Sequence, residues 1–267
     1  MQRCNLRSVR AGMQTSVYRG FISGNQLKIA ACVLMLIDHI GMILFPDITA
    51  LRIIGRLSMP LFAFTFAEGC FYTRNKLRHF LLILLIGLCS SAVMSFAYQR
   101  VYGNILITFA LSSLIIYSIH YLKVCCFSKR RSGIALSAVA LVASVALAVG
   151  VCCFSGADID YGIAGVLLPV TVRLLDFRSY GAEGLLAEIY CAATVFLLFF
   201  IGLIVVSVTN GILQFFCLFS IIPLLFYSGK RGKYKLKYLF YTFYPLHLAI
   251  LAAVFLILNP DYLNSIL

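Results

Sequence analysis

Nine apolar runs separated by short polar stretches organise this 267-residue chain, at approximately 27–45, 51–72, 79–98, 104–122, 134–154, 162–175, 189–209, 212–228 and 238–258. About 20 residues at 1.5 Å each cover the hydrocarbon core of a bilayer, and most of the runs reach that length. The sixth is short and holds Pro169, which predicts a broken or re-entrant helix. Pro60 in the second run predicts a kink. The pattern therefore predicts an all-α, polytopic transmembrane bundle of about nine spans, with eight to ten tolerable.

Composition excludes an ordinary soluble domain. The chain is 62% hydrophobic and 12% charged, with a mean hydropathy of +1.00. A net charge of +13 invites a nucleic-acid reading, yet the basic residues only punctuate the gaps between apolar runs. We therefore expect membrane lipids and no nucleic acid as partners. Nineteen of the 22 Lys and Arg fall in the tail through Lys28 and in alternate loops, at 73–78, 123–133, 173–188 and 229–237. The positive-inside rule then orients the chain with its N-terminus in the cytoplasm and its C-terminus outside. On this reading residues 1–26 form a basic cytoplasmic tail, 27–258 a single transmembrane domain, and 259–267 a short extracytoplasmic tail. The tail resembles a transit peptide in composition, and a cytoplasmic extension before a signal-anchor helix explains it equally well.

Ten cysteines are scattered without a CxxC pair near histidines, so no metal site is expected. The fifth run is rich in Ala, Ser, Val and Gly, which serves close helix packing. The loop Lys230, Arg231, Lys233, Lys235 and Lys237 either holds an anionic cofactor or signals topology beside anionic headgroups.

Candidate chemistry begins where ionisable groups enter the apolar runs, because such groups are costly in lipid and mark functional sites by default. Asp38 and His39 sit inside the first run, and Lys28 lies eleven residues before His39. At about 100° per residue, eleven steps return to nearly the same face, so Lys28 and His39 share it about 16 Å apart. Asp38 is about 100° around the helix and is expected to orient a group on a neighbouring helix. Arg56, near the outer end of the second run, pairs with a carboxylate, binds an anionic or carbonyl group, or snorkels to the headgroups. Glu68, nearer the cytoplasmic end, needs a partner or a proton, and Lys28 and the Arg74 cluster lie at matching depth. In the last run Tyr241, Tyr244 and His247 follow at one-turn spacings. His247 and His39 reach nearly the same depth, so the first and last spans could bring both to one pocket. Asn104, Asp158, Asp160, Tyr161 and Gly162 fall at the outer surface, as an acceptor mouth or as ordinary loop capping.

The segments LKIAACVLMLIDHIG, RIIGRLSMPLFAFTFAEGCFYTRN, DYGIAGVLLP and YLFYTFYPLHLAIL together resemble the TraX family, from about Leu27 to Leu258. The order DHIG, GRLSMPLFAF, FYPLHL is what makes the resemblance specific. TraX-type proteins are associated with N-terminal acetylation of conjugative pilin in the bacterial inner membrane. The spacing from Lys28 to His39 also resembles the basic-x10-His pattern of integral-membrane acyltransferases, which carry an acyl group from a cytosolic thioester to an extracytoplasmic acceptor.

The resemblance implies an inner-membrane acetyltransferase with acetyl-CoA as donor and a pilin-like protein or another envelope component as acceptor. His39 and Asp38 are then the catalytic candidates. Lys28, Lys235 and Lys237 are candidates for the donor, with Arg56, Glu68, Tyr244 and His247 for the substrate. Tyr244 or His247 would hydrogen-bond the developing oxyanion. Two rival readings remain from the residues alone: a proton-coupled transporter or channel using Asp38, His39, Glu68 and His247 as a relay, and a scaffold for envelope assembly.

Overall fold

The computed structural model describes residue 18 and residues 20–177, 185–233 and 236–260; side chains at 96–98, 185, 187, 188, 237 and 238 fall outside that description. Each apolar run forms helix. The elements are α1 (Gly24–Ile43), α2 (Thr49–Gly55), α3 (Ser58–Tyr72), α4 (Lys76–Tyr98), α5 (Ile105–Phe127), α6 (Arg131–Phe154), α7 (Gly162–Leu174) and α8 (Leu185–Asn210). A 3₁₀ helix over Ile212–Ser220 leads into α9 (Ile221–Leu225), and α10 (Lys237–Leu258) closes the bundle. Among the described residues seven helical stretches are long and apolar enough to cross a membrane, with α2 and α3 acting as one. The sixth and eighth runs give shorter apolar helices, Gly162–Leu174 and Ile212–Leu225. This is an all-α helical bundle and a multi-pass membrane protein.

Local sequence explains the element ends. Ser23 caps α1 in a reciprocal box with Gln26, which meets two otherwise orphaned donors. The kink expected at Pro60 appears as an interruption at Arg56–Leu57. Pro60 has no N–H for the Arg56 carbonyl four residues earlier, but it is tolerated in the first turn of α3. The interruption turns Arg56 out of a regular helix, next to α1.

The short α7 is the centre of the bundle. Its thirteen residues cover only about 20 Å, less than the hydrocarbon core. It packs against α3, α5, α6 and α8, and Val166, Leu168 and Val172 are fully buried. Irregular backbone around it is tolerated because protein, rather than lipid, surrounds it. Ser112 Oγ donates to the Val166 carbonyl at 2.7 Å, and Thr108 Oγ1 to that of Asp160 at 2.8 Å, which ties α7 to α5. The chain enters α7 through left-handed backbone at Tyr161 and Gly162 (φ +60° and +51°).

The small-residue helix α6 buries Ser144 and Ala148 while Leu136, Val139 and Val142 stay exposed, as lipid-facing positions should be. Two backbone pairings mark the two faces of the bundle. At one, Ile22 pairs with Tyr227, and the Gly24 and Asn25 amides donate to the Lys230 and Arg231 carbonyls at 2.8 and 2.9 Å. At the other, β1 (Tyr102–Gly103) lies parallel to β2 (Asp158–Ile159). Tyr102 there donates its hydroxyl to Asp160, whose carboxyl burial pushes up to about 6.

Candidate active site

Helices α1 and α10 pack together and run in the same direction, since Lys28 meets Phe240 and His39 meets His247. The Lys28 ammonium sits 5.6 Å from the Phe240 ring centroid. The Lys28–His39 face is therefore the face turned to α10. His39 stands about 22 Å along α1 from Gly24, closer to the end that meets α2.

The two histidines form a directed pair. His247 Nδ1 lies 2.7 Å from the Phe243 carbonyl oxygen, which can only accept, so Nδ1 carries the hydrogen. A neutral His247 then presents its lone pair at Nε2, 2.9 Å from His39 Nδ1, and His39 is the donor. The His39 lone pair is thereby placed on Nε2. Phe243 stacks on the His247 ring at 4.9 Å, and the buried Tyr244 meets it edge-on at 5.7 Å, so the ring that orients His39 is itself held. Both nitrogens of His247 are engaged. In this arrangement it has no hydrogen left to donate to an oxyanion.

Asp38 turns away from His39 towards α2. Its Oδ2 pairs with Arg52 Nη1 at 2.9 Å, and the same nitrogen donates to the Asp38 carbonyl at 3.0 Å. Arg56 Nη2 stands 3.8 Å from Asp38 Oδ1, while Arg56 Nη1 donates to Gln214 Oε1 at 3.3 Å. The Tyr161 hydroxyl also lies against Arg56. Arg56 thus faces the bundle, at 16% side-chain exposure, instead of snorkelling to headgroups.

Close approach of α1 and α2 rests on Gly55, where a Cβ would fall 2.2 Å from Asp38 Cβ. Gly55→Ala is expected to drive the helices apart and lower stability by about 1–3 kcal/mol. Thermal unfolding of the detergent-solubilised variant measures it, and an unchanged midpoint would show that the contact relaxes freely.

Glu68 lies in a separate cluster, towards the far end of α3. Its ion-pair partner among the described residues is Arg173 of α7, and not Lys28 or Arg74: Arg173 Nη1 lies 3.1 Å from Glu68 Oε1 and 2.8 Å from Asp176 Oδ2. Lys123 Nζ donates to the Arg173 and Asp176 carbonyls at 2.7 and 3.0 Å. These charges are buried and hydrogen-bonded to one another. Lys76, His120 and Tyr117 join them around a narrow cleft.

Lys235 falls outside the described residues, as does the Lys237 side chain. The neighbouring Lys230, Arg231 and Lys233 are exposed beside the start of α1. Sequence reasoning did not single out Gln214 or Tyr161's contact with Arg56, and counted Arg173 only as a loop charge. A lone amide within an otherwise apolar run was the available signal for Gln214.

The family model described as TraX protein matches residues 23–255, a span that includes Lys28, Asp38, His39, Arg56, Gln214 and His247. The chain is 27% identical over 254 residues to the probable fimbrial assembly protein FimC, serogroup H1, of Dichelobacter nodosus, covering 86% of this chain and 95% of that one. It is 39% identical over 92 residues to uncharacterized protein RP591 of Rickettsia prowazekii (strain Madrid E), covering 34% of this chain and 35% of that one. No solved structure matches the chain.

Proposed function

Because the chain belongs to the TraX protein family, we propose that it is a pilin-related membrane acetyltransferase of the bacterial inner membrane. It moves an acetyl group from cytosolic acetyl-CoA to an amine or hydroxyl of a pilin-like protein or other envelope component. The family, and the fimbrial assembly name of a relative matched along most of its length, support the pilin side of this reading. The observation that carries the chemistry is the directed His39–His247 pair, which leaves His39 Nε2 as a lone pair beside a charged cluster.

The donor supplies the activated acetyl thioester. Exposed Lys230, Arg231 and Lys233, with Lys28 behind them, offer cations suited to its phosphates. His39 Nε2 takes the hydrogen of the acceptor amine or hydroxyl as that atom attacks the acetyl carbon. The His39 ring becomes cationic, and its Nδ1–H bond to His247 Nε2 stabilises that charge. The Phe243 carbonyl steadies His247 in turn. Collapse of the tetrahedral intermediate breaks the carbon–sulfur bond, and the proton on His39 leaves with the thiolate. The products are the acetylated acceptor and free CoA thiol.

A relay through Asp38, His39, Glu68 and His247 finds less support. Asp38 is paired with Arg52 and Glu68 with Arg173, so the direct contacts join only the two histidines. Mass spectrometry of pilins and other envelope components from cells with and without this protein tests the proposal. An acetyl group that is lost from one component and restored by the wild-type chain is expected. An unchanged acetylation pattern, together with no transfer from labelled acetyl-CoA in vesicles, would defeat it.

A further inference from the structure

Beside the histidine pair, three buried polar atoms have no hydrogen-bond partner: Asp38 Oδ1, Arg56 Nε and Gln214 Nε2. They belong to residues already joined to one another, through the 3.8 Å approach of Arg56 to Asp38 and the 3.3 Å bond from Arg56 to Gln214. Buried donors and acceptors are nearly always met, so two unmet donors beside an unmet acceptor require a reason. Gln214 is only 1% exposed and sits on the 3₁₀ helix over Ile212–Ser220. Its oxygen is used by Arg56, which leaves its amide hydrogens; the Cys217 thiol beside them is a weak acceptor.

Charge points the same way. Two guanidinium groups, of Arg52 and Arg56, face the Asp38 carboxylate, and the Asp160 carboxyl lies within electrostatic range of Arg56. Two guanidinium groups in a partly buried setting make an anionic oxygen a better occupant than a cationic group. Both arginines also lie within electrostatic range of the His39 ring.

We infer that Arg56 and Gln214 form a seat for a single anionic or acyl oxygen, with Gln214 a binding residue of the site. Its ligand class is a carboxylate or the oxygen of an acyl group. The statement that this oxygen belongs to the transferred acetyl group rests on the acetyltransferase reading; the binding itself does not. During transfer the seat would hold the oxygen that gains negative charge, and Asp38 Oδ1 would accept a hydrogen bond from the second N–H of an amine acceptor, the first proton going to His39 Nε2.

Acetate is the probe. Thermal unfolding of the full chain in nanodiscs, with sodium acetate replacing sodium chloride at constant ionic strength, reads its binding. The wild-type midpoint is expected to rise with acetate in a saturable way. Gln214→Glu keeps an oxygen for Arg56 but replaces the amide donor by a second carboxylate, so its apparent acetate affinity should fall at least tenfold. Gln214→Leu should show the same loss, and His39→Gln should keep the wild-type response. A wild-type chain equally stable in both salts, or a Gln214→Glu chain with the wild-type response, would overturn the seat. A normal acetate response in a protein that transfers no acetyl group would leave the seat standing and defeat only the proposed reaction.

Discussion

His39→Gln is expected to slow acetyl transfer from labelled acetyl-CoA by about 10²–10⁴-fold, the range associated with loss of a positioned general base. The substitution retains polar atoms close to the size of the ring, so the bundle should stay folded, as circular dichroism would show. Donor KM should change little, because the phosphates are assigned to cations at the other end of α1. His247→Gln should cost less, since His39 would keep its lone pair but lose the acceptor that fixes its tautomer. A merely structural His247 would lower the amount of folded protein without moving the pH–rate profile. A positioning His247 should displace that profile, because the charge formed on His39 would no longer be shared. Full activity in folded His39→Gln would remove the base from the mechanism.

The sequence pattern carried the fold class because it is local. Apolar runs of bilayer length give their helices directly, and the interruption near Pro60 and shortness of α7 follow from proline chemistry and run length. The shared face of Lys28 and His39 was legible for the same reason, since helical periodicity places residues eleven apart together. So was the turning of Asp38 towards a neighbouring helix. Partners across the bundle were harder. Arg56 and Gln214 are 158 residues apart, and Arg173 and Glu68 are 105 apart. No periodicity within one helix reports such pairs. Arg173 resembles a topology charge in the sequence, because a cation at a loop boundary looks alike whether it reaches water or folds back on a carboxylate. Gln214 was hidden by an apolar run whose mean character is unaffected by one amide, and the 3₁₀ winding that aims it at Arg56 has no simple sequence signature.

The buried cluster around Arg173 gives the largest expected loss of stability. Its guanidinium is shared by Glu68 and Asp176, and its planar face lies 4.0 Å from the Phe71 ring centroid. Arg173→Leu would remove the cation that pairs with the buried Glu68 and leave Asp176 with only the neighbouring charge of Lys123. Lys123 replaces it only in part, because two of its three ammonium hydrogens go to backbone carbonyls. Breaking a buried pair by removing one partner costs about 3–5 kcal/mol. Glu68→Gln should cost less, because Asp176 still pairs with Arg173 and the new amide can accept from it. Denaturant titration of the three proteins in detergent, followed by circular dichroism, should rank them as wild type, Glu68→Gln, then Arg173→Leu. A common midpoint would show that the ion pairs contribute no net stability. Acetyl transfer by Glu68→Gln separates structure from substrate contact. A folded variant with the wild-type rate assigns Glu68 to holding α3 against α7, whereas a selective rise in acceptor KM would place it in the substrate path.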